Sequence, residues 1–195
     1  MKLFHYHHWT DRVEETENFY VQNGFEVAGR FAKNGTYHPP LVWKDFRAEN
    51  PQFRIIEVRK GKINVTFGQG KKTMFDHIGY LVSEKEHEEI CERARHLGWN
   101  LNIGERRTFL GTPFRLRIEL QLREDAVNEA DDSIQSIDIA VNKMAGTKDL
   151  QNLFGRPTPE LRFASGKQLE LKKVTIKGDQ NQAITDPSGV SIVIY

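Results

Sequence analysis

The feature that most constrains the fold of this chain is a pattern that recurs three times along it. Each copy starts with a strand-like segment, continues with helical spacing of apolar residues and then reaches a glycine that ends the helix. More strand-like segments follow each glycine. A repeat of this kind predicts a modular α+β fold. The three opening strands are Leu3–Trp9, Asp76–Val82 and Ser136–Val141, and the three glycines are Gly24, Gly98 and Gly155.

Helix boundaries are marked by short polar motifs. Asp11 with Glu14 and Ser83 with Glu86 have the spacing of capping boxes, so they predict the first turns of two helices. Asn23-Gly24 predicts a left-handed end to the first helix. Each repeat therefore has the order strand, helix and about three strands.

The repeats divide the chain into three units. Residues 1–70 and 71–122 are predicted to be paired modules, residues 123–134 an acidic linker, and residues 135–195 a third, degenerate module. The composition is 38% hydrophobic and 28% charged with a net charge of +1, which is ordinary for a globular domain. This balance gives no reason to expect a nucleic-acid or membrane partner. No apolar run is long enough for a spanning helix or a secretory signal, and the only cysteine is Cys91, so a cytoplasmic location is expected.

Four stretches together resemble one known family. They are His5 in the first strand, the helix end Phe19–Phe25, the strand Asp76–Val82 and the segment Arg117–Leu120. In this order they resemble the vicinal oxygen chelate superfamily, which includes glyoxalases, bleomycin-resistance proteins and extradiol dioxygenases. The resemblance covers residues 3–122 well and residues 135–195 weakly. It implies cupped mixed β-sheets built from βαβββ modules around a divalent metal.

The resemblance implies three metal ligands: His5, His77 at the same place in the second module, and Glu119 on that module's last strand. Two imidazoles and a carboxylate suit Fe(II), Mn, Co, Ni or Zn with coordination positions left open. Glu57 is a weaker alternative ligand. A structural histidine on a strand, or an ion pair between Glu119 and Arg117, is the competing explanation.

The last strand of the first module departs from the four-ligand members of the family. It reads Ile63-Asn64-Val65-Thr66-Phe67 and offers neither a carboxylate nor a glutamine. This favours a three-ligand site, as in ring-cleaving dioxygenases, or a degenerate binding protein.

The third unit has no ligand residues at the matching positions. Ser136 stands where His77 stands, and Val193 stands where Glu119 stands, so this unit is predicted to bind no metal. An unpaired module exposes sheet edges, which suggests that it docks on its copy in a homodimer.

Several other side chains are expected to line the pocket. His7 and Trp9 share a strand face with His5, and His7 is the candidate for proton transfer, although a core histidine is an equal alternative. The irregular stretch 34–50 is either a lid or a loop that packs its own aromatics. The full set of predicted pocket residues is Trp9, Tyr37, Trp43, Asn64, Thr66 and Arg117.

Two functions remain open on this basis. The first is a divalent-metal-dependent lyase, isomerase or dioxygenase, in which the metal chelates a small oxygenated substrate. The second is a metal-free protein that sequesters a small molecule such as a drug, with Trp9, Tyr37 and Trp43 as stacking surfaces. The metal ligands discriminate between them, because a shared fold does not fix the chemistry.

Overall fold

The computed structural model describes all 195 residues, which form fourteen strands and four α-helices. The helices are α1 Val13–Gln22, α2 Trp43–Phe46, α3 Glu84–His96 and α4 Leu150–Phe154. The strands of the first half are β1 Lys2–Thr10, β2 Glu26–Ala32, β3 Gly35–Tyr37, β4 Phe53–Lys60 and β5 Ile63–Gln69. Those of the middle are β6 Met74–Leu81, β7 Asn100–Ile103, β8 Arg107–Gly111 and β9 Arg117–Gln121. The remainder are β10 Ser133–Val141, β11 Leu161–Ser165, β12 Glu170–Lys177, β13 Gln182–Thr185 and β14 Ser191–Ile194.

A nine-stranded mixed sheet holds the first two modules side by side. Its strand order is β3-β2-β4-β5-β1-β6-β9-β8-β7. Within each module the first strand is parallel to the last, as in β1 with β5 and β6 with β9. The two modules meet where β1 and β6 run antiparallel, so both opening strands lie at the centre of the sheet. The predicted α+β fold of paired βαβββ modules is therefore confirmed.

A second sheet of five strands follows in the order β11-β10-β12-β14-β13. Its first four strands repeat the directions of the four central strands of the large sheet: parallel, antiparallel, parallel. Strand β12 takes the place that β6 has in the large sheet. We interpret residues 133–194 as a reduced pair of modules, in which most of the helices and outer strands are missing.

The hydrophobic core lies between the two sheets. Alternate residues of β1, β6 and β9, such as Tyr6, Ile78 and Ile118, are fully buried on one face of the large sheet. They belong to one continuous cluster with residues of the small sheet such as Val174 and Ile192. The opposite face of the large sheet is left free to form a cup. None of the helices has the length and apolar character that crossing a membrane requires.

One predicted helix start is confirmed and another is wrong. The Ser83 hydroxyl accepts a hydrogen bond from the Glu86 backbone, and the Glu86 carboxylate accepts one from the Ser83 backbone, which is the capping box expected for α3. Helix α1 begins at Val13 after Arg12 and has no side-chain cap. Here the Thr10 hydroxyl accepts the hydrogen bond of the Arg12 backbone, so the chain enters the helix without using Asp11.

The irregular stretch 34–50 packs its own aromatics and is not a lid over the cup. Tyr37 and Trp43 contact Phe46 and Phe53, with ring centroids 4.7 to 5.9 Å apart. Arg30 lies over the Phe46 ring and is held by Glu17 of α1, on the helix side of the sheet. The stretch therefore extends the core on that side.

Candidate metal centre

Two β-bulges at matching positions shape the centre of the large sheet. Pairing between β1 and β6 skips Phe4, just before His5, and skips Asp76, just before His77. A bulge turns two consecutive side chains toward the same face of a sheet. Both histidines therefore point into the cup, and Asp76 lies beside His77 although the two are neighbours in sequence.

The hydrogen bonds of His5 define its tautomer. Its Nδ1 lies 3.0 Å from the backbone oxygen of Asn64 and 3.0 Å from the Asn64 side-chain oxygen. The Asn64 amide nitrogen donates to Glu57 and to the backbone oxygen of Ala126, which fixes the orientation of the amide. Because both partners of Nδ1 are acceptors, Nδ1 carries the proton and Nε2 presents its lone pair.

His77 is held in the same manner by a carboxylate. Its Nδ1 lies 2.6 Å from Asp76 Oδ2, and Asp76 is in turn bound by Arg117 at 2.9 Å. The Arg117 guanidinium stacks over Phe109 at 4.3 Å from the ring centroid. A carboxylate on the far nitrogen is the usual partner of a metal-binding histidine, since it orients the ring and makes it more basic.

His5, His77 and Glu119 converge on one point. Their ligand atoms all lie within 4.8 Å of one another. The two Nε2 atoms are 3.1 Å apart, and His77 Nε2 is 3.3 Å from Glu119 Oε2. All three side chains are nearly inaccessible to solvent.

The chemistry of these donors fits a divalent cation. Asn64 and Asp76 orient the two imidazoles so that both Nε2 atoms face the Glu119 carboxylate. Such a convergence of potential acceptors is unfavourable unless a proton or a cation binds between them. Burial lowers the pKa of His5 to about 4, although the nearby Glu119 opposes this. Burial alone would raise the pKa of Glu119, yet His77, His5 and Arg107 lower it to about 2. At neutral pH His5 is therefore neutral and Glu119 is ionised, the states that metal ligands require.

A threonine occupies the position that would supply a fourth ligand. In the second module Glu119 pairs with Gly79, two residues after His77; in the first, Thr66 pairs with His7, two residues after His5. The Thr66 hydroxyl lies 2.7 Å from His7 Nδ1 and 3.5 Å from His5 Nε2. This register is consistent with a site of three ligands. The Thr66 hydroxyl forms a hydrogen bond with His7 instead.

The cup contains two adjoining cavities that share Ile55, Thr66 and Arg107 in their walls. One, of about 500 Å³, is lined by His7, Trp9, His77 and Phe109. The other, of about 400 Å³, is lined by His5, Asn64 and Glu119. The ligand atoms thus lie where the two cavities meet, as a substrate-binding metal centre requires.

Most of the predicted pocket residues are found at this site. Trp9 and Arg117 line the larger cavity, Asn64 lines the smaller one, and Thr66 lines both. His7 is buried, stacks on His77 with centroids 5.0 Å apart and meets Trp9 edge-on.

Tyr37 and Trp43 require a correction, because the structure does not place them in the cup. Tyr37 is buried and donates its hydroxyl hydrogen bond to Glu49, and Trp43 packs on Phe46 and Phe53. Both rings pack on the helix side of the sheet, because the apolar residues there are close to this loop in sequence. Glu57, the weaker ligand candidate, binds Arg59 and Asn64 instead of joining the cluster.

Comparisons with known proteins agree with this architecture. No protein-family model matches the chain, and no curated protein matches its sequence. Solved structures do match: the 2,3-dioxygenase LapB from Pseudomonas sp. KL28 has a TM-score of 0.69 at 11% identity, covering 99% of this chain and 91% of that one. The Mn(II)-bound glyoxalase from Novosphingobium aromaticivorans has a TM-score of 0.68 at 9% identity, covering 99% and 81%. An extradiol ring-cleaving dioxygenase from B. fuscum has a TM-score of 0.68 at 11% identity, covering 100% and 71%.

This chain has the vicinal oxygen chelate fold.

Two residues of this candidate metal centre were not anticipated from the sequence. Asp76 was missed because adjacent strand residues normally point to opposite faces, and only the bulge brings it to His77. Arg107 lies 3.3 Å from Glu119 across β8 and β9, whereas Arg117, the expected partner of Glu119, pairs with Asp76. Arg107 and Gln121 are opposite each other in the sheet, and that pairing could not be read from their spacing.

The small sheet repeats the vicinal oxygen chelate pattern without ligands. Its pairing skips Gln135 before Ser136 and Lys172 before Lys173, which matches the two bulges of the large sheet. Ser136 and Lys173 therefore stand at the positions of His5 and His77, which corrects the sequence alignment of Ser136 with His77. Val193 pairs with Thr175, two residues after Lys173, so it stands at the position of Glu119. This donor set is unsuited to a divalent metal.

Proposed function

We propose that this chain is a divalent-metal-dependent enzyme of the dioxygenase or glyoxalase kind that acts on a small oxygenated substrate. The observation that supports this most is the convergence of the His5 and His77 lone pairs with Glu119 at the junction of two cavities. His5, His77 and Glu119 would hold Fe, Mn, Co, Ni or Zn. A bound ion would supply Lewis-acid chelation of two neighbouring substrate oxygens.

The protein's own groups would orient the substrate and move a proton. Burial, together with the neighbouring histidines, holds the pKa of His7 well below its usual value, so His7 is neutral at pH 7. Thr66 engages Nδ1, which leaves Nε2 as the atom that can exchange a proton with a substrate in the larger cavity. Trp9 and Phe109 provide apolar walls against which a planar substrate can lie.

The test is metal content measured by mass spectrometry on tag-free protein. We expect near-stoichiometric metal in the wild type and after reloading with Fe(II), Mn, Co, Ni or Zn. His5→Ala, His77→Ala and Glu119→Gln should each lose it, because each removes one of only three ligands. His38→Ala and Glu92→Gln change exposed residues outside the cup and should bind metal as the wild type does.

The reaction itself is assayed on the loaded protein. Oxygen uptake with 1,2-dihydroxybenzenes tests dioxygenase chemistry, and loss of a thiol adduct of a 2-oxoaldehyde tests glyoxalase chemistry. His7→Gln should lower the rate by 100-fold or more while metal content stays unchanged. A wild type that binds no metal after reloading would contradict the proposal and would support the metal-free sequestering protein instead.

The predicted homodimer and cytoplasmic location remain predictions. The apolar face of the small sheet packs on the large sheet of its own chain, so it leaves no unpaired apolar face to explain. Light scattering at micromolar concentration tests the dimer, and a monomeric mass would contradict it.

A further inference from the structure

The walls of the cup contain more cationic than anionic side chains. The whole protein has 28 lysines and arginines against 27 aspartates and glutamates. Lys33, Arg54, Arg107 and Arg117 line the larger cavity, whose only carboxylate is that of Asp76. The smaller cavity adds three more arginines against two carboxylates: it adds Arg59, Arg106 and Arg123 against Glu57 and Glu119. A nearly neutral protein thus forms a strongly cationic concave surface, which focuses the electrostatic field on anions.

Three of these seven cations form ion pairs with carboxylates other than Glu119. Arg59 pairs with Glu57, Arg117 with Asp76, and Arg123 with Asp125. These pairs are structural and explain the presence of those arginines without a ligand.

Of the other four cations only Arg107 has an ion pair, with Glu119 at 3.3 Å. Lys33, Arg54 and Arg106 have no ion pair and no side-chain hydrogen bond within the protein. Arg54 is the residue skipped in the pairing of β4 with β2, and this bulge accounts for its place on the cavity wall. Such a set of free donors inside a concave site is suited to an anionic ligand.

Arg107 keeps most of its donors free in spite of its ion pair with Glu119. It lies in the wall shared by both cavities, and its Nη1 is 3.3 Å from Glu119 Oε2. A guanidinium has five N–H donors, and this single contact occupies one of them. Its side chain is 41% exposed, so the remaining donors can reach a molecule in the cup.

We infer that the substrate of this site is an anion, whose carboxylate or phosphate group is bound by Arg107 and Arg106 beside the metal ligands. This inference rests on the proposed function, since it names the substrate class of the same cup. Arginine binds planar carboxylates and phosphates through paired hydrogen bonds, which gives it selectivity over neutral analogues. A divalent ion at His5, His77 and Glu119 would add to the same attraction.

The test compares probes that differ in charge but not in shape. Benzoate and benzamide are titrated into the full chain by tryptophan fluorescence, since Trp9 lines the larger cavity, and phenyl phosphate is the second anionic probe. Each titration is run on metal-free and on Zn-loaded protein. We expect benzoate or phenyl phosphate to bind at least tenfold more tightly than benzamide in both forms.

Variants assign this preference to the arginines. Arg106→Gln and Arg107→Gln should each weaken anion binding about tenfold, the effect of one charge-assisted hydrogen bond, and leave benzamide binding unchanged. Arg95→Gln makes the same change of charge on the exposed face of α3 and should have no effect. Arg106 is exposed and unpaired, so Arg106→Gln should not impair folding.

The outcomes separate this inference from the proposed function. Equal binding of benzoate and benzamide, or an anion preference that both cup variants retain, would overturn the inference. Anion binding that needs the metal and ignores the arginines would also overturn it, while supporting the metal centre. Arginine-dependent anion binding by a chain that never binds metal would support the anionic ligand and contradict the metal-dependent enzyme.

Discussion

At the scale of single residues, the second nitrogen of each histidine controls the centre. Asn64 and Asp76 accept the Nδ1 protons of His5 and His77, so the lone pairs that bind metal point inward. Asp76 bears a charge and Asn64 does not, so the two histidines are oriented by partners of different charge. Burial would raise the pKa of Asp76, but His77 and Arg117 lower it, and the carboxylate stays ionised at neutral pH.

Replacement of Asp76 by asparagine should therefore weaken metal binding without unfolding the protein. The amide keeps the shape of the carboxylate but loses its charge and the Arg117 ion pair. We expect the dissociation constant for Zn to rise about tenfold, measured by competition with a chelator. Asp11→Asn, an exposed site outside the cup, is the matched control. Unchanged affinity would mean that Asp76 only anchors Arg117.

The depressed pKa values predict acid sensitivity of the metal-free protein. His5 titrates at about 4 in the folded state against 6.5 in the unfolded state, so the unfolded state binds more protons between these values. Folding stability must then fall as pH decreases from 6.5 to 4. Glu119, lowered from 4.5 to about 2, acts in the same direction at lower pH.

The expected size of this effect is testable by urea denaturation. Between pH 7 and pH 5 the His5 contribution amounts to about 2 kcal/mol of unfolding free energy. His5→Gln should remove the His5 share of the pH dependence and leave the share of buried His7 and His8, whereas His38→Gln, at an exposed histidine, should retain all of it. A variant at His5 with the same pH profile as the wild type would refute this assignment.

At the scale of secondary-structure elements, the paired opening strands determine how close the two histidines come. His5 lies opposite Gly79, and His7 lies opposite His77. Gly79 and His7 occupy equivalent positions in the two modules, so the cup has a histidine on one side and a glycine on the other. The missing side chain at Gly79 provides the space in which His5 lies.

Gly79→Ala tests this close approach. A Cβ at residue 79 would come within 2.9 Å of His5 Cβ and 3.1 Å of Phe4 Cε1, so His5 must shift. We expect a loss of roughly 1–3 kcal/mol in unfolding free energy together with weaker metal binding.

Gly111→Ala is the matched control for this substitution. Gly111 also lies in a strand of the large sheet, and a Cβ there would meet its nearest atom, Asn100 Cβ, at 3.5 Å. It should leave stability and metal affinity nearly unchanged. If both alanine variants behave alike, contact with His5 is not the reason for a glycine at position 79.

At the scale of the whole molecule, the small sheet serves as the support of the metal-bearing sheet. Tyr20 of α1 donates a hydrogen bond to Asp186, and Asp186 also accepts from the backbones of Ser188 and Val190. Arg93 of α3 donates to the backbone oxygen of Leu153 in α4. The ligand-free half of the chain thus packs against the back of the cup.

Because the core is continuous, the two halves should unfold together. We expect a single calorimetric transition whose calorimetric and van't Hoff enthalpies agree. A chain truncated after Leu122 should fail to fold, since the face that contains Tyr6, Ile78 and Ile118 would be exposed to water. Two transitions, or a folded truncated chain, would show that the metal-bearing half is independent.

The sequence by itself determined the repeating unit and the helix ends at Ser83 and Gly155, while its family resemblance implied the candidate ligands His5, His77 and Glu119. The repeating unit and the helix ends depend on local periodicity and local capping, which are written in consecutive residues. It also showed that the strand Ile63–Phe67 offers no usual donor for a fourth ligand position.

Only the tertiary structure decided the partners of those residues. Asp76 reaches His77 through a bulge, Arg107 reaches Glu119 across two strands, and Tyr37 and Trp43 pack behind the sheet. A shift of one residue in strand register moves a side chain to the other face, and register is set by contacts between distant segments. For that reason the charge of the cup, and the anionic substrate that we infer from it, could be recognised only in the folded chain.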